Sequence, residues 1–183
     1  MANKFIVPDP GVCIGCKTCM AACLAKHDRG GEMAIPRLSV TYTLTVSAPV
    51  ACHHCMDAPC VNACPVGALY EDPANHRVAI RQERCIGCRS CVMACPFGAV
   101  DIVTRTEPLV AGCEVFGTHE KAYVIKCDLC VDRPEGPACV QACLTKSLRL
   151  MDEDELARMQ AQKRTDAVAG AGELSSIAGA RIA

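Results

Sequence analysis

The stretch "CIGCRSCVMACPFGAV" spans Cys85 to Val100 and sets four thiols, Cys85, Cys88, Cys91 and Cys95, directly before Pro96. A near copy, "CIGCKTCMAAC", runs from Cys13 to Cys23 and supplies Cys13, Cys16, Cys19 and Cys23. Two looser groups complete the pattern: Cys52, Cys55, Cys60 and Cys64, then Cys127, Cys130, Cys139 and Cys143. Every group begins C-x-x-C and ends C-x-x-x-C. Only the gap between the halves varies: two residues in the first and third groups, four in the second and eight in the fourth.

Composition narrows what such a pattern can mean. The chain has 183 residues with 17 Cys, no Trp, three Phe and three Tyr, so large apolar side chains cannot supply most of a core. A framework held by covalent or coordination bonds is implied instead. The N-terminal "MANKFIVPDPG" lacks a signal-peptide apolar region. No run approaches the ~18 apolar residues of a membrane span. An odd cysteine count would leave one thiol outside any disulfide set. The chain therefore reads as soluble and cytoplasmic, where cysteines bind metal more often than they pair.

The third group matches C-x2-C-x2-C-x3-C-P in full, the bacterial signature for [4Fe–4S] clusters, whose fourth cysteine serves the neighbouring cluster. Three thiolates on a tight loop wrap one face of a cube while loop N–H groups point at its sulfides. The fourth, one helical turn on, faces the other way. Pro65 and Pro96 then end the turn, because proline cannot continue a helix. Zinc is the competing metal, since paired C-x-x-C units also suit four-cysteine sites. Zinc has no need of the third and fourth cysteines at these spacings.

Sixteen grouped cysteines make four clusters in two pairs. "CPVGAL" after Cys64 and "CPFGAV" after Cys95 are near copies, as in a duplicated ferredoxin. Groups two and three thus form one module, and groups one and four meet across it. On this nested pairing Cys52, Cys55, Cys60 and Cys95 hold one cluster, and Cys85, Cys88, Cys91 and Cys64 its neighbour. Cys13, Cys16, Cys19 and Cys143 hold a third, and Cys127, Cys130, Cys139 and Cys23 the fourth. Pairing group one with two and three with four is the alternative.

Other segments carry less. "RLSVTYTLTV", Arg37 to Val46, alternates strictly and predicts one half-buried strand. "RVAIR", "AVDIVTR" and "AYVIK" are short β-prone runs. Thr104 to Glu120 has no period and reads as a loop carrying Cys113, a free thiol. "DEDELARMQAQKR", from Asp152, begins acidic and ends basic, as a helix does. The Ala/Gly/Ser-rich tail after it predicts a partner-bound or loose end. His53 and His54 sit beside ligands without replacing any, so a supporting or surface role is expected. Lys17 and Arg89 occupy matching places, where a cation either raises the cluster potential or is simply solvated.

The formal charge of −1 treats the cysteines as neutral. Four clusters, each adding roughly −2, would bring it to about −9. Nucleic-acid binding is disfavoured. No glycine-rich nucleotide loop, nucleophile–His–Asp set or paired carboxylates are apparent, so the chain does not read as an enzyme.

The phrases "CIGCKTCMAAC", "PRLSV", "SAPVACHHCMDAPCVNACPVGAL", "RCIGCRSCVMACPFGAV", "KCDLC" and "GPACVQAC" cover most of Pro10 to Leu150. They resemble the four-cluster, ferredoxin-like electron-transfer subunits of molybdopterin oxidoreductases, and above all the small iron–sulfur subunits of formate hydrogenlyase and related hydrogenase complexes. Leu144 departs from the pattern, standing where relatives usually carry proline. The resemblance implies the same nested pairing and four [4Fe–4S] clusters. It implies an α+β fold of two ferredoxin-like 2[4Fe–4S] modules, an inner one near 47–103 and an outer one from 1–46 plus 121–150. Residues 1–150 would form this core and 151–183 a C-terminal helix and tail.

Its implied role is to pass single electrons between a molybdenum or tungsten formate dehydrogenase subunit and hydrogenase subunits. The complex would be peripheral to the inner membrane through partners, with no span of the chain's own. The alternative terminals are carbon monoxide dehydrogenase or another molybdopterin reductase, and the alternative class is a zinc-binding assembly module.

Overall fold

The computed structural model describes residues 3–27, 35–111 and 114–177, and Cys113 and the last six residues of the tail lie outside them. The architecture is four two-stranded antiparallel sheets, three of them hairpins, joined by short helices, with no larger sheet among the described residues. A lone hairpin is marginal in water, and so are helices of four or five residues. What these elements pack around is therefore decisive.

Strand β1 (Phe5–Pro8) pairs with β8 (Leu148–Met151), and Phe5 faces Met151. This closure ties the start of the chain to the residues following Cys143. Helix α1 (Thr18–His27) packs on α4 (Ala138–Gln141). Between them in sequence, α2 (Pro59–Asn62) packs on α3 (Ser90–Ala94), beside the hairpin of β4 (Leu69–Asp72) and β5 (Arg77–Ile80). All four short helices carry cysteines on their buried faces, at Cys19 and Cys23, Cys60, Cys91 and Cys139.

Buried residues form two cores. One holds Ile6, Leu38, Val40 and Leu148 with Cys19, Cys23, Cys52, Cys127 and Cys139. The other holds Leu69, Val78, Val100, Ile102 and Val124 with Cys60 and Cys91. Cysteine stands where aromatic residues would fill an ordinary core.

The strand expected over Arg37 to Val46 is corrected. It ends at Tyr42, as β2 (Leu38–Tyr42), and turns back into β3 (Ser47–Ala51). Thr43 closes the turn, its N–H and Oγ1 donating to Val46 O at 2.9 and 3.0 Å. Leu38 and Val40 are buried, whereas Leu44 sits fully exposed at the tip. The apolar alternation thus runs past the end of the strand, and the threonine side chain decides the reversal.

The aperiodic stretch from Thr104 to Glu120 is not a loop. It is the body of the longest hairpin, β6 (Asp101–Ala111) with β7 (Glu114–Ile125). Residues 114–120 are exposed throughout. An arm that buries neither face has no reason to alternate. Helix α5 (Glu153–Ile177) likewise extends well into the Ala/Gly/Ser-rich stretch expected to be loose or partner-bound. Asp152 Oδ1 accepts the Glu155 N–H at 2.9 Å, and three acidic residues fill the first turn.

Candidate functional site

The sixteen grouped cysteines are gathered into four sets, none with a disulfide among them. Cys13, Cys16, Cys19 and Cys143 line one cavity with Val40 and Leu148. Cys64, Cys85, Cys88 and Cys91 line another with Leu69, Ile102 and Val124. In the third set, burial and then repulsion from Cys52 and Cys95 push the Cys60 thiol up to about 11, and the same two neighbours act on Cys55. In the fourth, burial and then repulsion from Cys23 and Cys130 push Cys139 up to about 12, and Cys139 in turn acts on the buried Cys127. Each set takes three cysteines from one C-x-x-C group and one from another.

Local backbone explains the convergence. Gly15 and Gly87 sit at φ +67° and +73°, and Lys17 and Arg89 at +61° and +62°. Two left-handed residues per loop curl "CIGCK" and "CIGCR" so that their thiols face one point. Tyr42 Oη donates to Gly15 O at 2.5 Å and Ser47 Oγ to Cys13 O at 3.2 Å, fixing the first loop on the β2–β3 hairpin. The side chains of Lys17 and Arg89 are exposed, which favours the solvated reading of those cations.

Glycine is needed at 87 for space as well as for φ. A Cβ there would stand 2.8 Å from Ala122 Cβ, whereas one at Gly98 (φ +60°) would meet nothing within 4 Å. Gly87→Ala is expected to cost about 1–2 kcal/mol from the left-handed backbone, plus the clash, and Gly98→Ala only the backbone cost. Iron release to a chelator should be faster in the first variant than in the second.

Donors surround the sulfurs in a repeated pattern. The N–H groups of Ala68 and Ala99 reach Cys64 and Cys95 Sγ at 3.2 and 3.4 Å, each four residues on. Those of His54 and Leu129 reach Cys52 and Cys127 Sγ at 3.4 Å, each two residues on. Burial raises Cys143, but the Leu148 N–H and the Thr145 and Ser147 hydroxyls outweigh it and bring the thiol down to about 7. Such donors favour thiolate, the form that binds metal. At the end of α1, Arg37 Nη1 donates to Asp128 Oδ2 at 2.5 Å and His27 Nε2 lies 3.5 Å from Asp128 Oδ1, anchoring the loop of Cys127 and Cys130.

These features fit iron–sulfur cubes. Four thiols converge on each centre, N–H groups are offered to sulfur, and one buried donor lacks an acceptor. That donor is His54 Nε2, between Cys52 and Cys55, which no acceptor among the described residues satisfies. A cluster sulfide is the acceptor such a site supplies.

A family model described as a 4Fe–4S dicluster domain matches residues 43–153. A second 4Fe–4S dicluster model matches 12–69. The chain belongs to the 4Fe–4S dicluster family. It is a [4Fe–4S] protein. Three Escherichia coli K12 proteins are similar over nearly the whole dicluster chain. "Electron transport protein HydN" is 41% identical, over 88% of this chain and 95% of its own. "Formate hydrogenlyase subunit 2" is 37% identical, over 88% of both chains, and "Hydrogenase-4 component A" 36%, over 88% of this chain and 89% of its own.

His53 and Lys126 complete the surroundings. His53 is stacked between Phe97, at 3.9 Å between ring centroids, and Phe5, at 5.9 Å. Lys126 had no signal in sequence: before Cys127 it reads as an ordinary charged strand end. Its burial emerges only from the tertiary contact of its Nζ with Val78 O and His54 Nδ1.

Proposed function

We propose that this dicluster-family chain is a non-catalytic electron-transfer subunit that relays single electrons through four [4Fe–4S] clusters. The observation that carries this reading is the gathering of sixteen thiols into four convergent sets. In each, Cys13, Cys16, Cys19 and Cys143; Cys127, Cys130, Cys139 and Cys23; Cys52, Cys55, Cys60 and Cys95; or Cys85, Cys88, Cys91 and Cys64 would hold one cluster. When bound, the clusters supply one-electron redox chemistry.

The residues of the chain give that chemistry a direction in space. One buried core gathers Cys19, Cys23, Cys127 and Cys139 with Cys52. With the cysteines shared within each pair of groups, the sets follow in the order Cys13, Cys127, Cys52, Cys85. The two inner sets are the more enclosed: Cys23, Cys52, Cys60, Cys127, Cys130 and Cys139 are all buried. At the ends, Cys16 and Cys88 are exposed, and so are Ile14 and Ile86 beside them. Water is kept from the middle while each end stays open to a partner. The separate α1–α4 and α2–α3 packings support an outer module of 1–46 plus 121–150 and an inner one near 47–103, while the two cores cross that division, one taking in Ala51 and Cys52 and the other Val124.

The names of two relatives, components of hydrogenase-4 and formate hydrogenlyase, support a reading of the partners. The relay would run between a formate dehydrogenase catalytic subunit and a hydrogenase. No helix among the described residues is long and apolar enough to cross a membrane, so membrane attachment would come through those partners. In the anaerobically isolated native complex, formate should bleach the brown iron–sulfur absorption. Bleaching by dithionite but not by formate would keep the relay and move its terminal to another oxidoreductase.

A further inference from the structure

Lys126 follows directly on β7 and is 1% exposed, the largest fully buried side chain among the described residues. Its Nζ donates to Val78 O at 2.6 Å and to Cys127 O at 2.9 Å, and lies 3.5 Å from His54 Nδ1. None of these partners is an anion. No carboxylate oxygen of the described residues lies within 4 Å of it. A buried ammonium held only by two carbonyls is costly, because desolvating a charge takes several kcal/mol unless an opposite charge offsets it.

The neighbouring imidazole does not supply that charge. Val78 N–H donates to His54 Nδ1 at 3.1 Å, which places the ring proton on Nε2. With Nδ1 accepting and Nε2 protonated, the imidazole carries no negative charge. Arg77, in contrast, has an anion of its own in Asp72, at 3.2 Å. The cysteines nearest along these contacts are Cys127 on one side, whose carbonyl Lys126 bonds, and Cys52 and Cys55 on the other, which flank His54. They belong to the two inner sets.

We propose that Lys126 is the shared counter-cation of the two inner centres, placed between them and raising the reduction potential of both. The proposal rests on the four-cluster reading given above. Thiolate-ligated cubes carry the negative charge that the protein around Lys126 lacks, and each gains a further negative charge on reduction. A fixed cation beside both favours that reduced state. At the junction of the two pairs, it holds the middle of the route open to electrons.

Lys126→Gln tests this, keeping a donor for Val78 O and Cys127 O while removing the charge. Lys126→Arg keeps the charge. Both are prepared anaerobically as the holoprotein, counted for iron, and titrated by redox potential with electron paramagnetic resonance as the readout. In Lys126→Gln, two of the four reduction steps should move to lower potential. At a fixed solution potential their oxidised-to-reduced ratio should rise about tenfold, equivalent to ~59 mV for one electron. The other two steps should stay in place, and Lys126→Arg should lie near the parent protein. Loss of the inner iron in Lys126→Gln, restored in Lys126→Arg, would equally support charge compensation.

A fully loaded Lys126→Gln with all four steps unmoved would overturn the proposal. So would an equal shift of all four, or iron loss that arginine does not restore. A parent protein without clusters would instead sink the reading on which the proposal rests.

Discussion

Replacing Cys143 by alanine is expected to empty the centre formed with Cys13, Cys16 and Cys19, at the other end of the sequence. The iron beside its own neighbours Cys127, Cys130 and Cys139 should stay. Cys143 lines the cavity of the first set, and its charge acts on both Cys16 and Cys19. The β1–β8 pairing brings these distant segments together. Iron should fall from about sixteen to about twelve per chain, four for each cube. One set of resonances should disappear on reduction, with the others kept. Loss of the Cys127 centre instead would mean that each group fills its own cluster, and the crossed ligand assignment would be wrong.

The second large effect concerns stability. Stripping the iron anaerobically with a chelator under reducing conditions is expected to abolish cooperative unfolding of residues 3–151. The physical reason lies in what fills the interior. Cys19, Cys23, Cys52, Cys127 and Cys139 are members of one buried core, and Cys60 and Cys91 of the other. Three Phe, three Tyr and no Trp cannot replace them. Most secondary elements around these cores are strand pairs of four or five residues and short helices, each marginal alone, and the longer β6–β7 hairpin adds only Ile102 and Val124 to the buried core. Metal binding is then folding free energy, as in other small metal-held domains. Without iron, burial also works against the thiolates, since Cys60 and Cys139 are pushed to about 11 and 12. Hydrogen exchange should show protection lost across all four two-stranded sheets. A sharp thermal transition in the iron-free chain would show that side-chain packing suffices.

What could be read from sequence was what coordination chemistry fixes locally. Three thiols within seven residues, with Gly15 or Gly87 between the first two, admit few backbone paths, so spacing alone specifies a metal-wrapping loop. The turn at Thr43 was hidden because apolar alternation continues through Leu44 and Val46 after the strand has ended. The β6–β7 arm was hidden for the opposite reason: with both faces in water, nothing selects an alternating pattern. α5 outruns its acidic start because alanine sustains a helix and its two internal glycines cost only about 1 kcal/mol each. Lys126 was the least legible residue. A lysine after an apolar strand is ordinarily solvated, and only the tertiary packing of Val78, His54 and Cys127 around it reveals a charge in the interior.

The most direct test of the account is a count of iron and acid-labile sulfide on the anaerobically purified chain, together with its response to dithionite. The account predicts about sixteen of each per chain and a brown absorption that dithionite bleaches. A colourless, zinc-loaded and redox-silent chain would contradict it, and so would a fully folded protein with about eight irons.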